Sequence, residues 1–190
     1  MSLRGPLAVQ RNRHPVSAQS RGAWLPVRWV DIADPDPHTA GANPLAVFEQ
    51  GHGRGGAIFG RLEGCFWHGG GAWIVSTDGG DAGLGQVWRY EPSGRLKLVY
   101  EPHSAAVLRA PDNVTVSPRG SLVLCEDGPG NDRLKGLTPD GRLFDIARNH
   151  GSKGEFAGAT WSPDGTWLFV NIQRPSATYA ITGPWSRGPL

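Results

Sequence analysis

Four tetrapeptides punctuate the last hundred residues: EPSG at 91–94, SPRG at 117–120, TPDG at 138–141 and SPDG at 162–165. Proline presets the first central position of a tight turn, and a following glycine supplies the conformational freedom that closes it. Each tetrapeptide is flanked on both sides by an alternating or apolar run, the pattern of two strands joined as a hairpin. The turns alternate in kind, since SPRG and SPDG begin 45 residues apart and EPSG and TPDG begin 47 apart. The flanks repeat with them. QVWRYEPSGRLKLVY matches LKGLTPDGRLFDIAR, and NVTVSPRGSLVLCED matches GATWSPDGTWLFVNI. The repeating unit is therefore two hairpins, or four strands, in roughly 46 residues, the period and content of a propeller blade.

This periodicity predicts an all-β chain, a partial β-propeller of about three four-stranded blades. The first blade takes strands at 64–68, 72–77, 86–90 and 95–100, with HGGG (68–71) as its first turn. The second takes 112–117, 121–126, 133–138 and 142–147. The third has only 157–162, 166–171 and 177–182. Residues 23–60 are weaker in pattern. DIADPDPHTAGANP (31–44) reads as loop, with outer strands expected at 27–32 and 56–60. A sandwich of hairpins competes, but it requires no such period.

The remaining features bound the function. Basic and acidic residues nearly balance, 19 against 17. The arginines that cluster (Arg4, Arg11, Arg13, Arg21, Arg28) lie among Pro, Ser, Gln and Gly. They mark a disordered basic tail over 1–22 ahead of one domain at 23–190, not a nucleic-acid surface. No apolar run is long enough to span a membrane, and the N-terminus lacks a secretory apolar core, so a cytoplasmic location is expected. Cys65 and Cys125 are too few for a disulfide framework and read as buried thiols on strands.

In a propeller, the links into each first strand and out of each second strand share one rim. Those links carry Arg61, Glu63, Asp112, Asn113 and Glu155 on entry, and Asp78, Glu126, Asp127, Asn171 and Gln173 on exit. Glu63, Asp112 and Glu155 are spaced about one unit apart and are expected to converge near the axis. Converging carboxylates need a positive partner, and an all-oxygen set suits a hard cation such as calcium. The competing reading is that these acids cap strand ends by bonding backbone amides. Arg61 is open to two readings: a structural ion pair, or a fork for the paired oxygens of a phosphate or carboxylate ligand.

Several ordered segments resemble one family: RLEG (61–64), STDGG (76–80), GQVWRYEP (85–92), PDNVTVSP (111–118), LCEDG (124–128), GLTPDG (136–141), EFAG (155–158), SPDGTWLFVNIQ (162–173) and AITGPW (180–185). From about Trp29 to Trp185 the chain is similar to the C-terminal half of the PhoX-type alkaline phosphatases, proteins with the DUF839 domain. The resemblance implies a six-bladed parent propeller with calcium and iron at its axial mouth, hydrolysing phosphate monoesters, in proteins usually exported. It implies Arg61 as the phosphate-contacting catalytic residue and Glu63 as a metal ligand. Glu126, Asp127, Glu155 and Asp112 are implied as further metal-site acids, with Asn113 and Asn171 behind them. The family's N-terminal half, with its iron-binding cysteine, has no counterpart here, and Cys65 and Cys125 stand in other motifs. A truncated or split phosphatase is therefore expected, completed by a separate N-terminal half or a second copy. The alternative is a non-catalytic binding module made of a propeller fragment.

Overall fold

The computed structural model describes residues 2–3, 20–38 and 41–190. Its strands are β1 (Ser2–Leu3), β2 (Trp24–Arg28), β3 (Leu62–His68), β4 (Gly71–Ser76), β5 (Gln86–Glu91), β6 (Arg95–Tyr100), β7 (Pro111–Val116), β8 (Leu122–Glu126), β9 (Arg133–Leu137), β10 (Leu143–Arg148), β11 (Phe156–Trp161), β12 (Leu168–Ile172) and β13 (Ala177–Ile181). They form three antiparallel sheets: β1-β2-β6-β5-β4-β3, then β10-β9-β8-β7, then β11-β12-β13. Among the described residues the fold is all-β apart from the short helix α1 (Ala46–Gly53) and a 3-10 turn at Trp185–Arg187.

The four Pro-x-Gly turns explain the hairpins. In each, the glycine N–H donates to the carbonyl three residues back: Gly94 to Glu91, Gly120 to Ser117, Gly141 to Thr138 and Gly165 to Ser162. Each of these glycines has positive φ, between 70° and 87°. The HGGG turn is of another kind. His68 pairs with Gly71, and the two residues between them both have positive φ, as a two-residue hairpin turn with the right twist demands.

The sheets stack in sequence order, and β8 shows how. Its whole length is buried. Leu122 and Leu124 pack toward the first sheet with Trp73, Val75, Val87 and Tyr100. Val123 and Cys125 pack toward the third sheet with Leu168, Val170 and Ile172. A strand covered on both faces loses the polar alternation of a one-sided sheet, which is why LVLCE reads as a continuous apolar run. The strands that begin each sheet, β3, β7 and β11, lie side by side. Gly64 permits the first of these approaches, because a Cβ there would stand 2.6 Å from the Asp112 carbonyl oxygen. Asn113 fixes the second by accepting the Ala159 N–H at 3.1 Å.

Several expectations change. The outer strand is β2 at 24–28 rather than 27–32, and residues 56–60 form no strand. Pro26 is tolerated in β2 because the strand lies toward the sheet edge. Helix α1 was not expected. It follows Asn43, whose side chain accepts the Leu45 N–H and donates to Glu49. Cys125 is buried, but Cys65 is exposed, because it faces away from the second sheet beside exposed Trp67. Most of the tail expected at 1–22 lies outside the described residues. Arg21, near its end, sits over the Tyr100 ring at 5.3 Å, and Gly22 N–H donates to the Leu98 carbonyl. After the 3-10 turn, Leu190 is buried between the second and third sheets, and Ser121 Oγ donates to the Pro189 carbonyl.

Candidate active site

Each inner strand enters its sheet in the same way. The residue after the second strand donates its N–H to a residue just ahead of the first: Thr77 to Arg61, Asp127 to Ala110, Gln173 to Glu155. By this register Glu155 corresponds to Arg61 and Ala110, and not to Glu63 and Asp112 as their spacing had suggested. Arg61 and Ala110 adopt positive φ, 44° and 41°, an uncommon state for residues with a Cβ. Strain of this kind tends to concentrate at functional sites.

A bulge then interrupts each inner strand. Register shifts between Leu62 and Cys65 in β3, between Pro111 and Asn113 in β7, and between Ala157 and Thr160 in β11. An extra residue in a strand is unpaired and re-aims its side chain. Glu63 and Asp112 are the acids within the first two bulges. Their carboxyls come close enough to share a proton, which favours the protonated form of Asp112.

The side chains of Asp112, Asp127 and Glu155 meet, with one carboxylate oxygen from each all within 4.8 Å of one another. All three are half-buried. Arg61 closes the cluster from the first sheet, with Nη2 2.7 Å from Glu63 Oε1 and 3.3 Å from Asp127 Oδ2. Five of the sequence-derived site residues thus come together from three sheets: Arg61, Glu63, Asp112, Asp127 and Glu155.

Crowding has an electrostatic consequence. Burial raises the Asp112 carboxyl to about 6, helped by the hydrogen bond and charge of Glu63 and the charge of Asp127, with Arg61 opposing. Burial likewise raises Glu155 to about 7, helped by its hydrogen bond to Asp127 and by the charges of Asp127, Asp112 and Asp132. For Arg61, burial works against the charged form. The charge of Glu63, the hydrogen bond and charge of Asp127, and the charge of Asp78 outweigh it and raise its pKa. The cluster is an acidic group with the Arg61 guanidinium at its edge.

Three named residues stand elsewhere. Glu126 is completely buried and faces Arg133, which bonds both its oxygens at 2.9 Å. It also accepts the backbone N–H groups of Arg109 and Arg133. With both oxygens taken, it holds the β8–β9 hairpin shut. Asn113 is committed to Ala159. Asn171 accepts the Thr178 hydroxyl across β12 and β13 at 2.7 Å. Asp78, expected on the same rim two residues beyond β4, acts on Arg61 through its charge.

The group offers carboxylate oxygens only, and neither Cys nor His belongs to it. Burial pushes the Cys125 thiol up to about 12, so it stays protonated. Such a set fits a hard, calcium-type cation and offers nothing that favours a softer ion.

The family model described as "Alkaline phosphatase PhoX" matches residues 4–176. No curated protein matches the chain. Among solved structures it is similar to one titled "Streptogramin B lyase structure", at 15% identity and a TM-score of 0.43 over 65% of this chain. The chain spans about two fifths of that protein, 41% of its length.

Proposed function

The chain belongs to the alkaline phosphatase PhoX family, and from that membership we propose that it contributes a metal-assisted phosphate monoester hydrolase site at the mouth formed by Arg61, Glu63, Asp112, Asp127 and Glu155. The observation that carries the proposal is the meeting of three carboxylate oxygens within 4.8 Å beside a guanidinium. Carboxylates gathered so closely repel unless a cation is placed among them, and a guanidinium at their edge suits a ligand that is itself anionic.

Asp112, Asp127 and Glu155 would hold a calcium-type ion. Such a cation polarises phosphoryl oxygens and lowers the pKa of an attacking water. Arg61 does the rest of the positioning. Only its Nη2 is bonded to the protein among the described residues, to Glu63 and Asp127, so its Nε and Nη1 are free to meet two non-bridging oxygens of phosphate. Glu63 and Asp127 hold the guanidinium from behind, so its donors are aimed before substrate arrives. Iron, which the resemblance implies, would need donors beyond this group.

The three sheets are read as adjacent blades of a propeller, with β3, β7 and β11 nearest its axis. Stacking in sequence order and the recurrent bulges support that arrangement. The outward face of the third sheet supports further blades or a second copy beside it, since Phe169 is 37% and Trp167 41% exposed. Bulky apolar side chains left in water favour a covering partner.

The test is metal content and turnover together. The purified chain is expected to retain calcium by elemental analysis and to hydrolyse p-nitrophenyl phosphate. Both are expected to be lost in Asp127→Asn and Glu155→Gln. A folded wild-type chain that holds no cation, and whose turnover is indifferent to both substitutions, refutes the proposal.

A further inference from the structure

The loop that presents Asp127 also borders a cavity of opposite charge. Residues 127–132 link β8 to β9, and the chain Gly128-Pro129-Gly130-Asn131 runs closely over the Arg109 side chain. A Cβ on Gly128 would collide with Arg109 Nε, and Gly130 needs its φ of 108° to continue over the guanidinium. Next to this loop is an open cavity of about 460 Å³, lined by Ala105, Ala106, Pro129 to Asn131 and three arginines: Arg109, Arg133 and Arg148. That volume lies within the ~300–1,000 Å³ range of small-molecule sites.

No acidic side chain lines this cavity. The two carboxylates that balance its arginines, Glu126 and Asp132, are almost completely buried, at 0% and 1% exposure. Arg133 is spent on Glu126 and on the carbonyls of Ala105 and Ala106. Arg109 gives Nη2 to Asp132 at 3.2 Å, while its buried Nε has no acceptor. Arg148 is exposed and forms no ion pair among the described residues. Three guanidiniums stand against these two carboxylates; Asp145, whose charge also acts on Arg133, is paired with Lys135, so one positive charge stays uncompensated, and Arg148 is the exposed member of the three. Gly130 is three steps along the chain from Asp127, so the two backbones are at most roughly 11 Å apart.

We infer that the Arg109–Arg133–Arg148 cavity is an anion subsite. It receives an oxyanionic group, such as a second phosphate or a carboxylate, carried on the organic part of a phosphate ester whose scissile phosphate lies at the mouth. The substrate clause rests on the phosphatase reading above, whereas the anion site rests on the arginines alone. Free Arg148 supplies the charge that is not already neutralised, and Arg109 and Arg133 form a rigid wall behind it.

The experiment titrates the 15N-labelled chain with sodium sulfate at low ionic strength and follows the backbone amides of Gly130, Asn131 and Arg133. Saturable shifts are expected. Arg148→Ala should weaken the affinity about tenfold, the loss of one charge-assisted hydrogen bond. Arg148→Lys should recover part of it, and Arg61→Ala should leave it unchanged. Absence of saturable shifts in the folded wild type, or equal affinity in Arg148→Ala, overturns the inference. Phosphate ester hydrolysis that depends on Arg61, with these amides silent to sulfate, overturns the subsite and leaves the mouth standing. Saturable shifts in a chain that binds no cation and hydrolyses nothing support the anion site and remove the phosphatase reading.

Discussion

Arg61 and Asp127, 66 residues apart in sequence, meet at 3.3 Å across the gap between the first and second sheets. The contact joins a residue held in the left-handed region ahead of β3 to one that leaves β8. A half-exposed ion pair of this sort adds little stability, about 0–1 kcal/mol. Its value lies in aiming the guanidinium.

Arg61→Ala is therefore expected to fold with a nearly unchanged denaturant midpoint. Its kcat toward p-nitrophenyl phosphate should fall by about 10²–10³, equivalent to 2–4 kcal/mol, the loss of one preorganised donor. Parallel urea melts and steady-state kinetics check this. A large drop in stability with proportionate loss of activity would show that Arg61 is a structural residue.

Acid should stabilise the metal-free protein. The folded-state carboxyls of Asp112 and Glu155 lie at about 6 and about 7, above their ordinary values of 3.8 and 4.5. A raised carboxyl pKa means that the fold favours the protonated form. Their contribution is most favourable below the unfolded values and is lost as pH rises through the folded ones. Thermal melts in chelator are thus expected to show Tm declining between about pH 4 and pH 7. The double variant Asp112→Asn/Glu155→Gln should flatten that decline, and calcium should raise Tm at pH 8 but not at pH 5. A Tm that climbs across this window in the wild type, with no response to the double variant, contradicts the assignment.

Glu126→Gln should behave unlike a change at the mouth. It leaves Arg133 with its charge unpaired in a mostly buried setting, at 15% side-chain exposure. Breaking a buried pair costs about 3–5 kcal/mol. Urea denaturation should register this loss equally with and without calcium. A variant of wild-type stability whose calcium affinity alone has fallen would return Glu126 to the ligand set.

Gly64→Ala tests the approach of β3 to β7. The new methyl would meet Asp112 O at 2.6 Å, Val114 N at 2.9 Å and Asn113 Cα at 3.0 Å, all backbone atoms. Overpacking of this kind costs about 1–3 kcal/mol and should also weaken calcium binding by separating Glu63 from Asp112. Gly41→Ala, with no atom within 4 Å of its added Cβ, is the control.

Much of the fold was legible because turn chemistry is local. Proline and glycine at fixed offsets located four hairpins, and the strands observed between 62 and 181 begin and end within two residues of those expected. The meeting of Arg61 with four carboxylates followed from the same periodicity. What escaped depended on register. Glu126 was counted among the mouth acids because it ends a second strand. Yet Cys125 pairs with Leu134, which sets Glu126 opposite Arg133. That cross-strand pair was written in the hairpin and signals an inward ion pair. The bulges at Glu63 and Asp112 carry no distinctive residue pattern, so the correspondence of Glu155 with Arg61 emerged only from the hydrogen bonds. Helix α1 escaped because its eight residues include Gly51 and end on Gly53, and none of its side chains is buried.

The recurring bulges separate two jobs that a regular strand would bind together. Beyond each interruption the inner strand resumes pairing with its neighbour, so that ladder does not depend on whether the acid at Glu63 or Asp112 is kept. The mouth can therefore be re-equipped at Glu63 or Asp112, an acid exchanged for an amide, while Gly64 and Asn113 beside them go on setting how closely the sheets approach. A chain built this way tolerates diversification of its chemistry along a scaffold that stays still.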